Sequence, residues 1–101
     1  MIQVRLKCDK NECVLIMEGH ANYSDGNDIV CAAASALAYS WLGFLDNYCP
    51  DYKSETKSGY LNVKCKDYSN EVETAFAVIH IGLAQLELKY PNCIKITKFV
   101  A

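Results

Sequence analysis

Apolar and polar residues alternate from Ile2 to Cys8, with Ile2, Val4, Leu6 and Cys8 on one face and Gln3, Arg5 and Lys7 on the other. A period of two with one wet face predicts a half-buried strand. Asp9-Lys10-Asn11-Glu12 is a polar turn, so Cys13 to Glu18 reads as the returning arm of a hairpin. Its run Val14-Leu15-Ile16-Met17 is apolar on both faces, which suits a strand inside the sheet rather than at its edge. The period then changes. A helix is expected from Asp28, or one residue earlier from Asn27, to about Asp46, because both residues are good N-caps. Ala32, Ala33, Ala34 and Ala36 give it a small-sided first half that can approach a sheet closely. Leu37, Trp41, Leu42, Phe44 and Leu45 make the second half bulky.

The second half of the chain repeats the plan. Tyr52 to Lys57, Ser58-Gly59 and Tyr60 to Lys66 read as another hairpin, with Leu61, Val63 and Cys65 alternating with Asn62 and Lys64. Asn70-x-x-Glu73 has the form of a capping box and opens a second helix to about Tyr90. Val72, Phe76, Ile79, Leu83 and Leu86 recur every three or four residues as its core stripe, and Glu73, His80 and Glu87 form a polar stripe. Ala77, Ile81, Ala84 and Leu88 add a second apolar surface, more than one small sheet needs. Pro91 stops the helix, and Cys93 to Val100 alternates as a final strand. The expected fold is α+β: a two-layer sandwich in the order β-β-α-β-β-α-β, with two helices on a largely antiparallel or mixed sheet. Residues 1–101 form one domain.

Composition narrows the function. The chain is 51% hydrophobic and 22% charged, as globular proteins are, and its net charge of −2 argues against holding nucleic acid by bulk charge. Met1 to Lys7 has no apolar signal core. The most apolar stretch, Cys31 to Leu45, falls short of the roughly 20 residues that cross a bilayer. A cytoplasmic protein with no membrane partner is therefore expected. Of the six cysteines, no pair shows C-x-x-C spacing, so reduced thiols are expected, with Cys8 and Cys65 in phase with core-facing positions.

The chemistry gathers in one stretch. Gly19 ends the second strand and gives the backbone room beside His20. The loop Tyr23-Ser24-Asp25-Gly26-Asn27 follows, with Gly26 letting it move over a substrate, and then comes Cys31. If Asp28 is the N-cap, Cys31 is the third helical residue. There the helix dipole and the unpaired N–H groups favour an anion, the thiolate. An imidazole folded back from His20 would pair with it, and the same N–H groups could hold the oxyanion of an acyl intermediate. The blander reading makes Cys31 a small packing residue, His20 a strand-end residue and Asp28 only a cap. With Cys13, His80 or Cys49 as further ligands, the spacing follows no zinc pattern, so no metal site and no cofactor are expected.

The run Gly19-His20-Ala21, Gly26, Asp28-Ile29-Val30-Cys31-Ala32-Ala33 and Ser35-Ala36-Leu37 resembles the Prp family of ribosomal-processing cysteine proteases. The motif covers residues 19–37, while length and element order agree along the whole chain. The resemblance implies a homodimer that removes a short N-terminal extension from a precursor of a large-subunit ribosomal protein. That leader is typically apolar and aromatic just ahead of the cut. It further implies that Cys31 is the nucleophile and His20 the general base, that Asp28 is the acidic residue before the helix, and that Ser35 lies beside the site. Two rival readings are a ribosome-associated binding module without turnover, and a redox thiol protein, which would want a resolving cysteine near Cys31.

Overall fold

A computed structural model describes residues 1–21, 28–49 and 51–98. Its elements are β1 (Ile2–Cys8), β2 (Glu12–Glu18), α1 (Ile29–Tyr48), β3 (Lys53–Lys57), β4 (Tyr60–Lys66), α2 (Asn70–Lys89) and β5 (Ile94–Lys98). The order is the expected one. One five-stranded sheet runs β3-β4-β2-β1-β5, so the strand that is apolar on both faces is its middle one. All pairings are antiparallel except β1 with β5. The sheet is mixed because the chain's first and last strands lie side by side.

The core lies on one face of this sheet. Ile2, Val4 and Leu6 of β1, Cys13, Leu15 and Met17 of β2, Leu61, Val63 and Cys65 of β4, and Ile94 of β5 meet both helices there. From α1 come Val30, Ala34, Ala38, Trp41 and Leu45, and from α2 come Val72, Phe76, Ile79 and Leu83. Trp41 meets Phe76 edge to face with ring centroids 5.1 Å apart, a geometry that aromatic quadrupoles favour. The two helices also touch each other: a β-carbon on Gly82 would come within 3.0 Å of Leu37.

The structure alters four expectations. First, α1 has 20 residues, apolar enough and long enough by composition to cross a bilayer, so it does not fall short as the stretch Cys31 to Leu45 suggested. Its buried side chains pack on the sheet and on α2, as those of a core helix do. Second, α2 is capped by Ser69, not Asn70: the Ser69 hydroxyl accepts from the Val72 N–H at 3.4 Å, which moves the cap out of the capping-box register. Third, Cys8 and Cys13 are joined in a disulfide rather than reduced. The β1–β2 register sets them directly opposite each other, a relationship that sequence spacing around a turn does not announce. Fourth, Glu87 is more than a member of a polar stripe. Its carboxylate accepts the Ile96 N–H at 2.7 Å and so anchors β5 to α2.

The β1–β2 turn is closed by Asp9, whose Oδ1 accepts from the N–H groups of Asn11 at 2.8 Å and Glu12 at 3.0 Å. Those two bonds hold its carboxyl below the ordinary carboxylate range. The candidate site residues His20 and Cys31 lie just past the end of β2 and in the first turn of α1.

Candidate active site

Three backbone features bring His20 and Cys31 together. Gly19 stands at φ +98°, and a β-carbon there would lie 2.4 Å from the Met1 carbonyl oxygen. Only glycine fits, and its N–H donates to the Gly59 carbonyl at 2.8 Å. The second hairpin is thus tied to the end of β2, immediately before His20. Beyond His20 the chain dives inward at Ala21, which is buried.

The Ala21 N–H then donates to Cys31 Sγ at 3.1 Å. Cys31 is the third residue of α1, as the expected cap requires. Asp28 caps that helix in extended backbone conformation, its Oδ1 accepting from the Val30 N–H at 3.0 Å and the Cys31 N–H at 2.9 Å. The cap fixes the backbone that carries the thiol, and the thiol sulfur faces a backbone N–H donor.

The same geometry corrects one expectation. The N–H groups of Val30 and Cys31 are spent on Asp28, and that of Ala32 on the Asp28 carbonyl at 3.1 Å. Amides occupied within the first turn of α1 do not offer themselves to an oxyanion.

His20 and Cys31 line one cavity of about 140 Å³. Gly19 and Ser35 line it too, so four of the residues singled out in the sequence share the site. Asp28 does not line it and is linked to Cys31 through the cap, and Gly26 lies outside the described residues, as does the rest of the loop 22–27. The cavity has members that sequence reasoning missed: Tyr39 of α1, and Lys57, Gly59 and Tyr60 of the second hairpin. Gly59 matters most. Its backbone is left-handed at φ +70°, and a β-carbon on it would stand 2.9 Å from His20 Nε2. A Ser-Gly turn explains itself locally, so nothing in the sequence marked this glycine as a seat for a histidine 39 positions earlier. No group of three or more metal-ligating side chains occurs among the described residues.

Residues 1–95 match the family model described as cysteine protease Prp. Among solved structures, the ribosomal processing protease Prp of S. aureus in complex with a covalently linked product peptide superposes with a TM-score of 0.82 at 24% identity, covering 98% of this chain and 100% of that one. Its complex with a substrate peptide gives 0.82 at 23%, with the same coverage. A Streptococcus mutans protein gives 0.79 at 22%, covering 100% and 96%. At these identities the likeness concerns the fold. No curated protein sequence matches the chain at a significant level.

Proposed function

The chain belongs to the Prp family of cysteine proteases, and on that premise we propose that it is an endopeptidase working through Cys31 and His20. Its substrate is the precursor of a large-subunit ribosomal protein, from which it removes a short N-terminal leader. The observation that carries the reading is the 3.1 Å hydrogen bond from the Ala21 N–H to Cys31 Sγ. It ties the residue after His20 to the sulfur, inside the cavity that both side chains line. The S. aureus protease of the same fold, a ribosomal processing enzyme, is known with a covalently linked product peptide, which agrees with covalent catalysis by a thiol.

The chemistry follows from the groups in place. His20 takes the Cys31 proton, and the thiolate attacks the scissile carbonyl. The proton passes to the leaving amine as the peptide bond breaks, leaving an acyl group on Cys31. Water then attacks the thioester, His20 accepts its proton, and Cys31 is regenerated. Tyr39, Tyr60, Met17 and Leu61 give the cavity apolar and aromatic walls, suited to the apolar-aromatic leader that the resemblance implies. Lys57 stands among them.

The protein acts in the cytoplasm, where ribosomal proteins are made, and it acts as a homodimer. Ile81 and Leu88 on α2 are 60% and 75% exposed, and this apolar outer face is the dimer surface we assign. Light scattering should show a dimer for the native chain and a monomer for Ile81→Glu. An unchanged dimer would move the interface elsewhere.

The enzymatic reading is tested with a synthetic peptide that joins an apolar-aromatic leader to the basic start of a mature ribosomal protein. The native chain should cut it once. Cys31→Ala should bind it without cutting, and His20→Ala should also lose turnover. A native protein that binds the peptide but leaves it whole between pH 6 and 9 would replace the protease with a binding module.

A further inference from the structure

The four cysteines Cys8, Cys13, Cys65 and Cys49 form a row at the end of the sheet remote from the catalytic cavity. Cys8 and Cys13 are bonded to each other, Cys13 stands opposite Cys65 in the β2–β4 register, and Cys65 Sγ lies 2.7 Å from Cys49 Sγ. The last distance is shorter than ordinary nonbonded contacts, which run at roughly 3.5–4.0 Å between carbons. A closure of about 0.7 Å would bring the two sulfurs to bonding distance. Neither residue lines the cavity of Cys31, and Cys49 is 18 positions further along α1, roughly 27 Å of helix. The catalytic reading has no use for either thiol.

We propose that Cys49 and Cys65 are a redox-active dithiol, an oxidative modification site that a peroxide converts to a disulfide. The two sulfurs have different parts. Cys49 is half-buried, so solvent-borne oxidant reaches it, whereas Cys65 is fully buried. Burial first, and the hydrogen bond with Cys49 second, push the Cys65 thiol up to about 12, which keeps it protonated and unreactive until its neighbour changes. The Cys49 thiolate attacks one peroxide oxygen and the O–O bond breaks, giving a sulfenic acid and, after protonation, water. Cys65 sulfur attacks Cys49 sulfur, the S–O bond breaks, and the hydroxyl leaves as a second water with the Cys65 proton. Two thiols and one peroxide become one disulfide and two waters, with two electrons passing from sulfur to oxygen.

The new bond would tie the C-cap of α1 to β4. Cys49 already caps that helix, its N–H donating to the Leu45 carbonyl at 2.8 Å, so the chain is held in place for the cross-link. The sequence it encloses contains the β3–β4 hairpin, which carries Lys57, Gly59 and Tyr60 into the catalytic cavity.

Treatment with a several-fold excess of hydrogen peroxide, enough to oxidise Cys31 as well, followed by thiol blocking and unreduced peptide mapping, should yield a Cys49–Cys65 linked peptide two hydrogens lighter than its parts. Dithiothreitol should reverse it. Closing this loop should raise the melting temperature by about 10 °C, and neither the link nor the rise should occur in Cys49→Ala. If that variant does not fold, Cys65→Ala serves the same purpose. Sulfinic or sulfonic acid on Cys49 without a link would overturn the proposal. So would a Cys13–Cys65 link, which would mean exchange with the hairpin disulfide, or a Cys49–Cys65 link that leaves the melting temperature unmoved. None of these readouts depends on peptidase activity.

Discussion

The imidazole of His20 rests so close to Gly59 that a β-carbon on the glycine would stand 2.9 Å from Nε2. Gly59 therefore acts as a positioning residue, holding the ring through the absence of a side chain. Gly59→Ala should displace the ring and also carry about 1–2 kcal/mol of left-handed backbone strain. A ring moved by about 1 Å costs up to 100-fold in kcat, so kcat should fall 10- to 100-fold with KM nearly unchanged. Ser58→Ala, in the same turn, serves as the control and should leave kcat alone. Equal kcat for Gly59→Ala and the native enzyme would show that His20 does not depend on this seat.

Cys31 should be the first cysteine to react with limiting iodoacetamide near pH 7. It combines a helix N-terminal position, an N–H donor at its sulfur and an open cavity. Cys8 and Cys13 are spent in a disulfide and Cys65 is buried, which leaves Cys49 and Cys93 as competitors. Mass mapping at one equivalent of reagent decides the matter. Dominant label on Cys49 or Cys93 would remove the nucleophile assignment.

Where a signal was local, the sequence carried it well. Ile2, Val4 and Leu6 alternate and are buried in turn, and Asp28 caps α1 as its side-chain chemistry dictates. Asn70 and Ser69 are both good caps, so the second helix start slipped by one residue. What stayed hidden depends on pairing across the fold. The parallel contact of β1 with β5 joins the two ends of the chain, and the Cys8–Cys13 bond requires the hairpin register. At the site the motif pointed to His20, Cys31, Gly19 and Ser35, which do share a cavity. Gly59 and Tyr60 reach that cavity through the β2–β4 register, which sets Tyr60 opposite Glu18, and through the Gly19 N–H bond to the Gly59 carbonyl.

In reduced protein, stability should fall with rising pH partly through Cys65. Its thiol titrates at about 12 in the folded chain against 9.0 for the free group, with burial as the main cause. Between those values the unfolded chain has lost this proton and the folded one has kept it, so the slope of unfolding free energy with pH is negative. The contribution is complete below pH 9 and declines as pH rises toward 12. Urea melts at several alkaline pH values should give a shallower decline for Cys65→Ala than for the native chain. Equal slopes would show that Cys65 titrates normally in the fold.

Asp28 can be separated into two roles by a pair of substitutions. Its Oδ1 accepts the Val30 and Cys31 N–H groups, and Asp28→Ala removes that acceptor at a cost of about 1 kcal/mol. The melting temperature should drop by about 4–8 °C. Activity should decline as well, because Cys31 sits on the backbone that the cap fixes. Asp28→Asn keeps an acceptor oxygen, so its stability should stay within a few tenths of a kcal/mol of native. If capping is the whole contribution, this variant should retain most of the native kcat. A carboxylate that orients His20, as the third member of a triad does, would instead give a stable Asn variant with kcat reduced by about 10⁴-fold. The described geometry ties Asp28 to the helix amides, so we expect the mild outcome. Thermal melts and kcat measured on the same three proteins distinguish the two.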